Sequence, residues 1–143
     1  MILRSGSLRL EVLWPPAELL AEDPADTDPN LLALVIRARW HDFTMLLTAD
    51  AEAESTPLDP GPIDVLKVAH HGSRTSSSEA WLTAVQPELA VISRGAANSF
   101  GHPHAEVVER LQQHARQVID LGERGGTIVT IERDGRLTVE TAE

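Results

Sequence analysis

Short apolar segments separated by polar loops run along the whole chain, and their periodicity predicts a mixture of strands and helices. Eight segments have the two-residue alternation or the short apolar run that is typical of strands, namely residues 8–13, 31–40, 43–47, 63–69, 89–93, 117–120, 127–131 and 136–140. Helical spacing predicts helices over residues 79–85 and 103–115, and shorter helical turns over residues 17–22 and 50–54. Strands therefore outnumber helices, but the two kinds of element interleave.

Turn signals between these segments predict how they connect. His41 and Asp42 alone separate two strands, and Asp134 with Gly135 separates the last two, so we expect two β-hairpins. The acidic, Pro-bearing stretch at residues 22–30 has no periodicity and is predicted to be a surface loop. Hairpins early and late in the chain, with strand–loop–helix units between them, predict an α/β fold whose mixed sheet carries its helices on one face.

The size and the charge of the chain limit the functions that it can have. With 143 residues, 42% hydrophobic and 24% charged, residues 1–143 are expected to form a single domain. The formal net charge of −10 excludes a basic, phosphate-tracking surface over most of that domain, so a polyanionic substrate would need a local cation. Only 3% of the residues are aromatic, which argues against base-stacking platforms of the kind found in single-strand-binding folds.

Missing residue types and motifs narrow the chemistry further. The chain has no cysteine, which excludes disulfides, thiolate zinc sites and a cysteine nucleophile, and leaves His and carboxylates as the strong metal ligands. The longest apolar run, residues 31–36, is too short to span a bilayer, and the N-terminus lacks an apolar signal core. Walker-type loops, Gly-x-Ser-x-Gly elbows and Gly-x-Gly-x-x-Gly fingerprints are absent from the sequence. A catalytic metal is therefore the favoured chemistry.

Ligand-type side chains follow three of the predicted strands: Asp50, the pair His70 and His71, and His102. Polar loops at the ends of sheet strands commonly build active sites, so we expect His102 to face the same crevice as His70. Asp50 could bridge two metals. His70 could bind metal, while His71 beside it could support the ligand from behind or act on the substrate as a catalytic residue. His102 could serve as a general acid or oxyanion stabiliser. The structural alternatives are helix caps at Asp50 and His102 and a polar loop at His70 and His71.

Further polar residues surround these candidates. The Ser/Thr-rich run at residues 73–78, including Ser73 and Thr75, could bind phosphate at a helix start, or could simply be a flexible cap. Asn98 lies in the loop before His102 and is a third candidate for phosphate binding. The remaining histidines, His41, His104 and His114, are predicted to lie on the surface.

Three blocks carry a family resemblance: Leu-Leu-Thr-Ala-Asp-Ala-Glu at 46–52, Asp-Val-Leu-Lys-Val-Ala-His-His-Gly-Ser at 64–73, and Val-Ile-Ser through Asn-Ser-Phe-Gly-His-Pro at 91–103. In order and spacing they resemble the metallo-β-lactamase-like domain at the C-terminus of ComEC-type DNA-internalisation competence proteins. The resemblance covers nearly the whole chain. It implies the C-terminal half of an αββα sandwich from a metal-dependent nuclease, a phosphodiesterase acting on DNA that enters the cell during transformation.

The resemblance also implies roles, cofactors and partners. Asp50 would be the bridging metal ligand, His70 the late His ligand with His71 beside it, and His102 a catalytic residue near the scissile phosphate. Two divalent ions, Mn or Zn, would serve the intact domain. DNA and the rest of the membrane channel protein would be its partners, and the domain would lie on the outer side of the bacterial cytoplasmic membrane.

The departures from the family pattern matter for the isolated chain. The principal metal motif, His-x-His-x-Asp-His, is absent and no histidine precedes His41, so the chain resembles only the second half of the domain. Asp50 and His70 are too few ligands for a catalytic dimetal centre, and the isolated chain is expected to be inactive. Ala49 stands where the family usually has glycine. A half-domain is also expected to expose apolar surface, which predicts a homodimer.

Two other functions compete with this interpretation. The chain could be a non-catalytic scaffold or interaction module of the DNA channel, which the missing ligands favour. It could also belong to a metallo-hydrolase of the same fold that acts on small phosphoesters or lactones, because a fold does not determine its substrate.

Overall fold

The computed structural model describes residues 1–21, 28–53 and 59–141. Within them lie nine strands: β1 (Ile2–Ser5), β2 (Leu8–Trp14), β3 (Val35–Trp40), β4 (Phe43–Leu47), β5 (Val65–Lys67), β6 (Leu89–Ile92), β7 (Gln117–Asp120), β8 (Thr127–Ile131) and β9 (Leu137–Thr141). The helices are α1 (Ala17–Ala21), α2 (Glu79–Val85), α3 (Ala105–His114) and α4 (Leu121–Arg124). This mixed architecture confirms the predicted α/β class.

The first seven strands form one mixed sheet in sequence order. β1 to β4 pair antiparallel, and the predicted hairpin is confirmed because Trp40 pairs directly with Phe43 across His41 and Asp42. β4 to β7 pair parallel, with α2 connecting β5 to β6 and α3 connecting β6 to β7. The carboxyl ends of β4, β5 and β6 therefore lie at one edge of the sheet, which positions the loops that follow them.

The two longer helices cover one face of the sheet. The apolar side of α2 and the buried Val107 and Leu111 of α3 pack on Leu66, Ala90 and other residues of the central strands. These residues recur with helical spacing in α2 and α3 and with two-residue spacing in the strands, as the sequence pattern predicts. The expectation of helices on one face is confirmed for these two helices.

The opposite face is covered by the C-terminal hairpin. Val129, Leu137 and Val139 of β8 and β9 pack against Leu89 and Ile119, forming a second apolar cluster. The hairpin pairs as predicted, with β9 displaced by one residue from its predicted bounds. Its turn is built by Gly135, whose φ of 83° lets the amide return to the carbonyl of Glu132 at 3.0 Å.

An apolar part of this second face, on β1 to β3, belongs to neither cluster. Cross-strand register places six residues there side by side: Leu3, Leu8, Leu10, Val12, Ile36 and Ala38. None of them is buried, and Leu3 and Leu8 are 55% and 37% exposed. Within the described part of the chain, this face carries exposed apolar surface, as the sequence analysis expects.

Several predicted element boundaries are wrong. The strand predicted over residues 63–69 is shorter, because β5 covers only Val65–Lys67 and a 3-10 turn occupies Ala69–Gly72. Hydrogen bonds explain two further differences. Residues Pro29–Leu32 form a 3-10 turn, so β3 begins only at Val35. Asp28 caps that turn at the amide of Asn30, and Trp14 donates its indole N–H to the carbonyl of Leu31 at 2.6 Å. Helix α3 begins at Ala105, not at Pro103, because the extended His104 N-cap donates its amide to the Gly72 carbonyl.

Other predictions were incomplete. Strand β1 was not predicted, because its sequence Ile-Leu-Arg-Ser lacks alternation. Residues 49 and 50 form a turn and residue 53 is in a 3-10 turn, so no α-helix begins at Asp50, and the end of the predicted segment lies outside the described residues. So does most of the predicted loop at 22–30. Among the described helices, none has the length and hydrophobicity needed to cross a membrane.

Candidate functional site

The three loops after β4, β5 and β6 bring the predicted site residues to one edge of the sheet. Asp50 follows β4, His70 and His71 lie in a 3-10 turn directly after β5, and His102 lies in the long loop after β6. The ring centroids of His70 and His102 are 5.5 Å apart, in an edge-to-face arrangement. The expectation that these two side chains share a crevice is therefore confirmed.

His71, rather than His70, is the histidine that contacts Asp50. Its Nε2 lies 3.3 Å from Asp50 Oδ1, and its Nδ1 is hydrogen-bonded to the carbonyl of Ser93. A carbonyl oxygen only accepts, so the proton is on Nδ1, and in a neutral ring the lone pair of Nε2 faces the carboxylate. Two acceptors in that position need a proton or a cation between them. A backbone carbonyl behind the ring is also the usual arrangement behind a metal-binding histidine.

His70 is oriented by a different carboxylate. Its Nδ1 lies 2.7 Å from Glu52 Oε1, two residues beyond Asp50, and both side chains are largely buried. Hydrogen bonding of Nδ1 leaves Nε2 as the ring nitrogen available to other partners. His70 and His71 thus each keep Nε2 for a partner at the site. In each ring Nδ1 is hydrogen-bonded to a group that fixes the ring's orientation.

His104 joins the site, although the sequence predicted it at the surface. Its ring lies 5.2 Å from that of His102 and is partly buried, so that His70, His71, His102 and His104 form one group, here called the histidine cluster. The sequence feature that could have predicted this contact is the position of His104, two residues after His102. His114 was also wrongly predicted: its side chain is only 17% exposed and contacts Glu79 at 2.6 Å. His41 is exposed, as predicted.

The backbone of the turn is strained and tightly packed. His70, His71 and Gly72 have φ values of 45°, 53° and 82°, three consecutive residues in the left-handed region. For the two histidines this conformation costs on the order of 1 kcal/mol each, a feature that clusters at functional sites. Gly72 lies against Pro103, and its carbonyl accepts the His104 amide at 3.0 Å. The histidine turn and the His102 loop are thus joined through Gly72.

Burial and neighbouring imidazoles act together on His102. Desolvation lowers its pKa, as do the nearby His70, His104 and His71, while the carboxylate of Asp50 opposes them. The pKa of Lys67 is also lowered by burial, again opposed by Asp50, and its Nζ donates to the carbonyl of Ala49 at 2.9 Å. Lys67 is therefore a cation beside Asp50 in an otherwise acidic chain.

The three predicted phosphate ligands occupy different environments. Ser73 is 7% exposed and its hydroxyl lies 3.1 Å from that of Thr75, which is itself exposed. Asn98 holds the backbone of His102 at both ends, because its Nδ2 donates to the carbonyl at 2.8 Å and its Oδ1 accepts the amide at 3.2 Å. Asn98 thus rigidifies the loop that carries His102.

The donor types at this edge suit a divalent transition metal, since imidazole nitrogens and carboxylates are its usual ligands. Asp50 with His71 forms one candidate pair of ligands, and His70 presents a further nitrogen. Among the described residues, however, no group of three or more His, Asp or Glu side chains has the arrangement to hold a metal ion. The fit is therefore partial, and further ligands would be needed to complete a metal site.

Replacing Ala49 by glycine is expected to stabilise the protein by about 0.5 kcal/mol. Ala49 has a φ of 45°, a conformation that costs an alanine about 1–2 kcal/mol and costs a glycine almost nothing. The greater freedom of glycine in the unfolded chain removes part of this gain. Urea unfolding followed by tryptophan fluorescence measures the change. The matched control is Ala80→Gly in α2, which should destabilise by about 1 kcal/mol; the same sign for both variants would contradict the prediction.

Comparison with known proteins gives several relatives. The chain is 41% identical over 102 residues to Recombination protein 2 of Haemophilus influenzae, covering 69% of the chain and 13% of that protein. It is 32% identical over 127 residues to ComE operon protein 3 of Bacillus subtilis, covering 87% of the chain and 16% of that protein. It is 35% identical over 98 residues to Competence protein ComA of Neisseria gonorrhoeae, covering 64% of the chain and 14% of that protein.

No family model matches the chain. The chain spans only 13% to 16% of the length of these three relatives, so it corresponds to a small part of each. One of the three is named a competence protein and another a ComE operon protein, and the chain is thus related in sequence to competence-related proteins.

Proposed function

We propose that this chain is part of a competence protein that acts in DNA uptake during transformation. The observation that carries the proposal is the convergence of Asp50 and the histidine cluster at one sheet edge, in a chain whose relatives include a competence protein and a ComE operon protein. Within that protein the chain would be the C-terminal half of a ComEC-type, metallo-β-lactamase-like domain. The mixed sheet with two helices on one face supports this finer assignment.

The proposed activity of the longer protein is metal-dependent cleavage of the phosphodiester bonds of DNA. Asp50 and a histidine of the pair would contribute ligands to the divalent ions, Mn or Zn, which when bound would activate water as the nucleophile. The 3.3 Å contact with Asp50 favours His71 as that ligand, and His70 stays the second candidate. His102 would hold a proton near the leaving oxygen, fixed there by the two hydrogen bonds of Asn98 to its backbone.

DNA would meet this chain within the longer protein, whose remaining part would include the membrane channel. We place the domain on the outer side of the bacterial cytoplasmic membrane, as the resemblance implies. The uncovered apolar face on β1 to β3 supports the expectation that isolated copies of the chain form a homodimer.

Calorimetric titration with Mn²⁺ and Zn²⁺ tests the metal assignment. The chain is compared with a version extended upstream through the missing His-x-His-x-Asp-His half, each with and without His71→Ala and His70→Ala. We expect tight binding in the extended form only, weakened at least tenfold by substitution of the ligand histidine. His114→Ala, a partly buried histidine outside the cluster, is the control. Sedimentation of the same samples at high concentration tests the homodimer, which a strictly monomeric profile would contradict.

A second candidate function is a non-catalytic scaffold of the DNA channel. It is favoured by one observation: the described residues contain no group of three side chains able to hold a metal. Absence of metal binding in both the chain and its extended version would support this candidate and contradict the nuclease proposal.

A further inference from the structure

Phe100 is the most exposed large apolar residue at the candidate site. Its side chain is 79% exposed, although the chain has only two Phe and three Trp residues. Its ring lies near the His102 ring, with centroids 6.2 Å apart and planes 28° from parallel. Together with His71, Arg94 and Asn98, these two rings line a cavity of about 180 Å³. An exposed apolar ring therefore lies at the edge of the group of side chains proposed to act on DNA.

The loop that carries Phe100 is held in place by the same residues. Asn98 bridges over it, binding both the amide and the carbonyl of His102, so the intervening residues 99–101 form a short closed loop. Gly101 allows this closure with a φ of 76°. A single exposed apolar side chain is normal on a protein surface. Phe100, however, lies on a closed loop beside a group of hydrogen-bond donors. Its ring is therefore already held in position to contact a ligand, which lowers the entropy lost on binding.

Hydrogen-bond donors in the cavity complement an anionic ligand. Arg94 follows β6, and its guanidinium is fixed at 2.8 Å from Asp120, with only 14% of the side chain exposed. The N–H groups of Arg94 that Asp120 does not use, together with the His102 ring, can donate to phosphate oxygens, while Phe100 offers an apolar ring face. A ligand with a flat aromatic group attached to a phosphate matches both, and a nucleotide is that ligand.

We propose that Phe100 is a base-stacking residue that selects single-stranded nucleic acid at this site. The inference rests on the proposed function, because it names the form of DNA that the site accepts. A duplex keeps its bases stacked on each other, whereas a single strand can place one base on the Phe100 ring while its phosphate lies near Arg94 and the cluster. A single ring can stack on a single base. This agrees with the low aromatic content of the chain, which argues against an extended stacking platform.

Fluorescence anisotropy with labelled oligonucleotides tests the proposal on this chain, in low salt with a chelator. The probes are an oligothymidine of roughly 12 nucleotides, within the length that one such site covers, and an abasic oligomer of the same length. We expect Phe100→Ala to weaken oligothymidine binding about 5-fold to 150-fold and to leave abasic binding unchanged. Phe100→Trp should restore binding. Ile128→Ala, which removes an apolar side chain 61% exposed on β8, should change neither.

Any of four outcomes would overturn the inference. Equal loss of both probes would mean that Phe100 only supports the loop, and no loss of either would mean that it does not contact the strand. If the unmodified chain binds the two probes equally well, or binds neither, stacking on Phe100 does not occur. The metal titration of the extended protein is unaffected by these results, so failure of the stacking inference is distinguishable from failure of the nuclease proposal.

Discussion

Substituting Gly72 by alanine should lower the free energy of unfolding by about 2–4 kcal/mol. Two effects combine. A Cβ at position 72 would lie 2.6 Å from the Cβ of Pro103 and 3.1 Å from its Cα, so the backbone of the two loops would have to separate. The φ of 82° adds the strain of a left-handed conformation. Urea unfolding followed by tryptophan fluorescence measures the loss.

The matched control for this prediction is Gly135→Ala. Gly135 has a nearly equal φ of 83°, but a Cβ there would meet no atom within 4 Å. This substitution introduces only the strain of the left-handed conformation, and it should lower the free energy of unfolding by about 1 kcal/mol. The difference between the two variants measures the contact of Gly72 with Pro103. If they destabilise equally, the close approach of the histidine turn to the His102 loop does not contribute to stability.

Substituting Asp120 by alanine should destabilise the protein by about 3 kcal/mol. Asp120 Oδ2 accepts from Arg94 at 2.8 Å, and its Oδ1 accepts the Gly122 amide at the start of α4. The side chains of Arg94 and Asp120 are only 14% and 13% exposed, so removing the carboxylate leaves a guanidinium largely buried without its main partner. Loss of the helix cap adds about 1 kcal/mol.

Two further variants make this test selective. Glu123 lies 3.8 Å from the same guanidinium but is 74% exposed, so Glu123→Ala should cost less than about 0.5 kcal/mol. The double variant Arg94→Ala with Asp120→Ala should recover part of the stability lost by Asp120→Ala, because it removes the unpaired charge. Additive losses in the double variant would show that the two side chains are not coupled. Because Arg94 lines the Phe100 cavity, this pair also determines whether a cation is fixed there.

Much of the site could be anticipated from positions along the chain. Asp50, His70 and His102 each follow a short apolar segment, and parallel strands bring the loops at their carboxyl ends to one edge. That reasoning needs only the order of elements, and the 5.5 Å separation of His70 and His102 confirms it. The order of elements does not predict the direction in which each side chain points. Adjacent histidines in an extended strand would point to opposite sides, whereas two left-handed residues turn each ring toward a different carboxylate.

Eight of the nine described strands, the two predicted hairpin turns and the loops that carry polar side chains can be recognised in the amino-acid sequence alone, because periodicity and turn residues act over a few neighbouring positions. The contact of Asp50 with His71, the packing of Gly72 on Pro103 and the place of His104 in the cluster are properties of the folded chain. The first two join loops far apart in the chain, and the third depends on the backbone between His102 and His104. Their geometry depends on where the sheet brings each loop and on the backbone conformation within it, neither of which leaves a periodic signal in the amino-acid order.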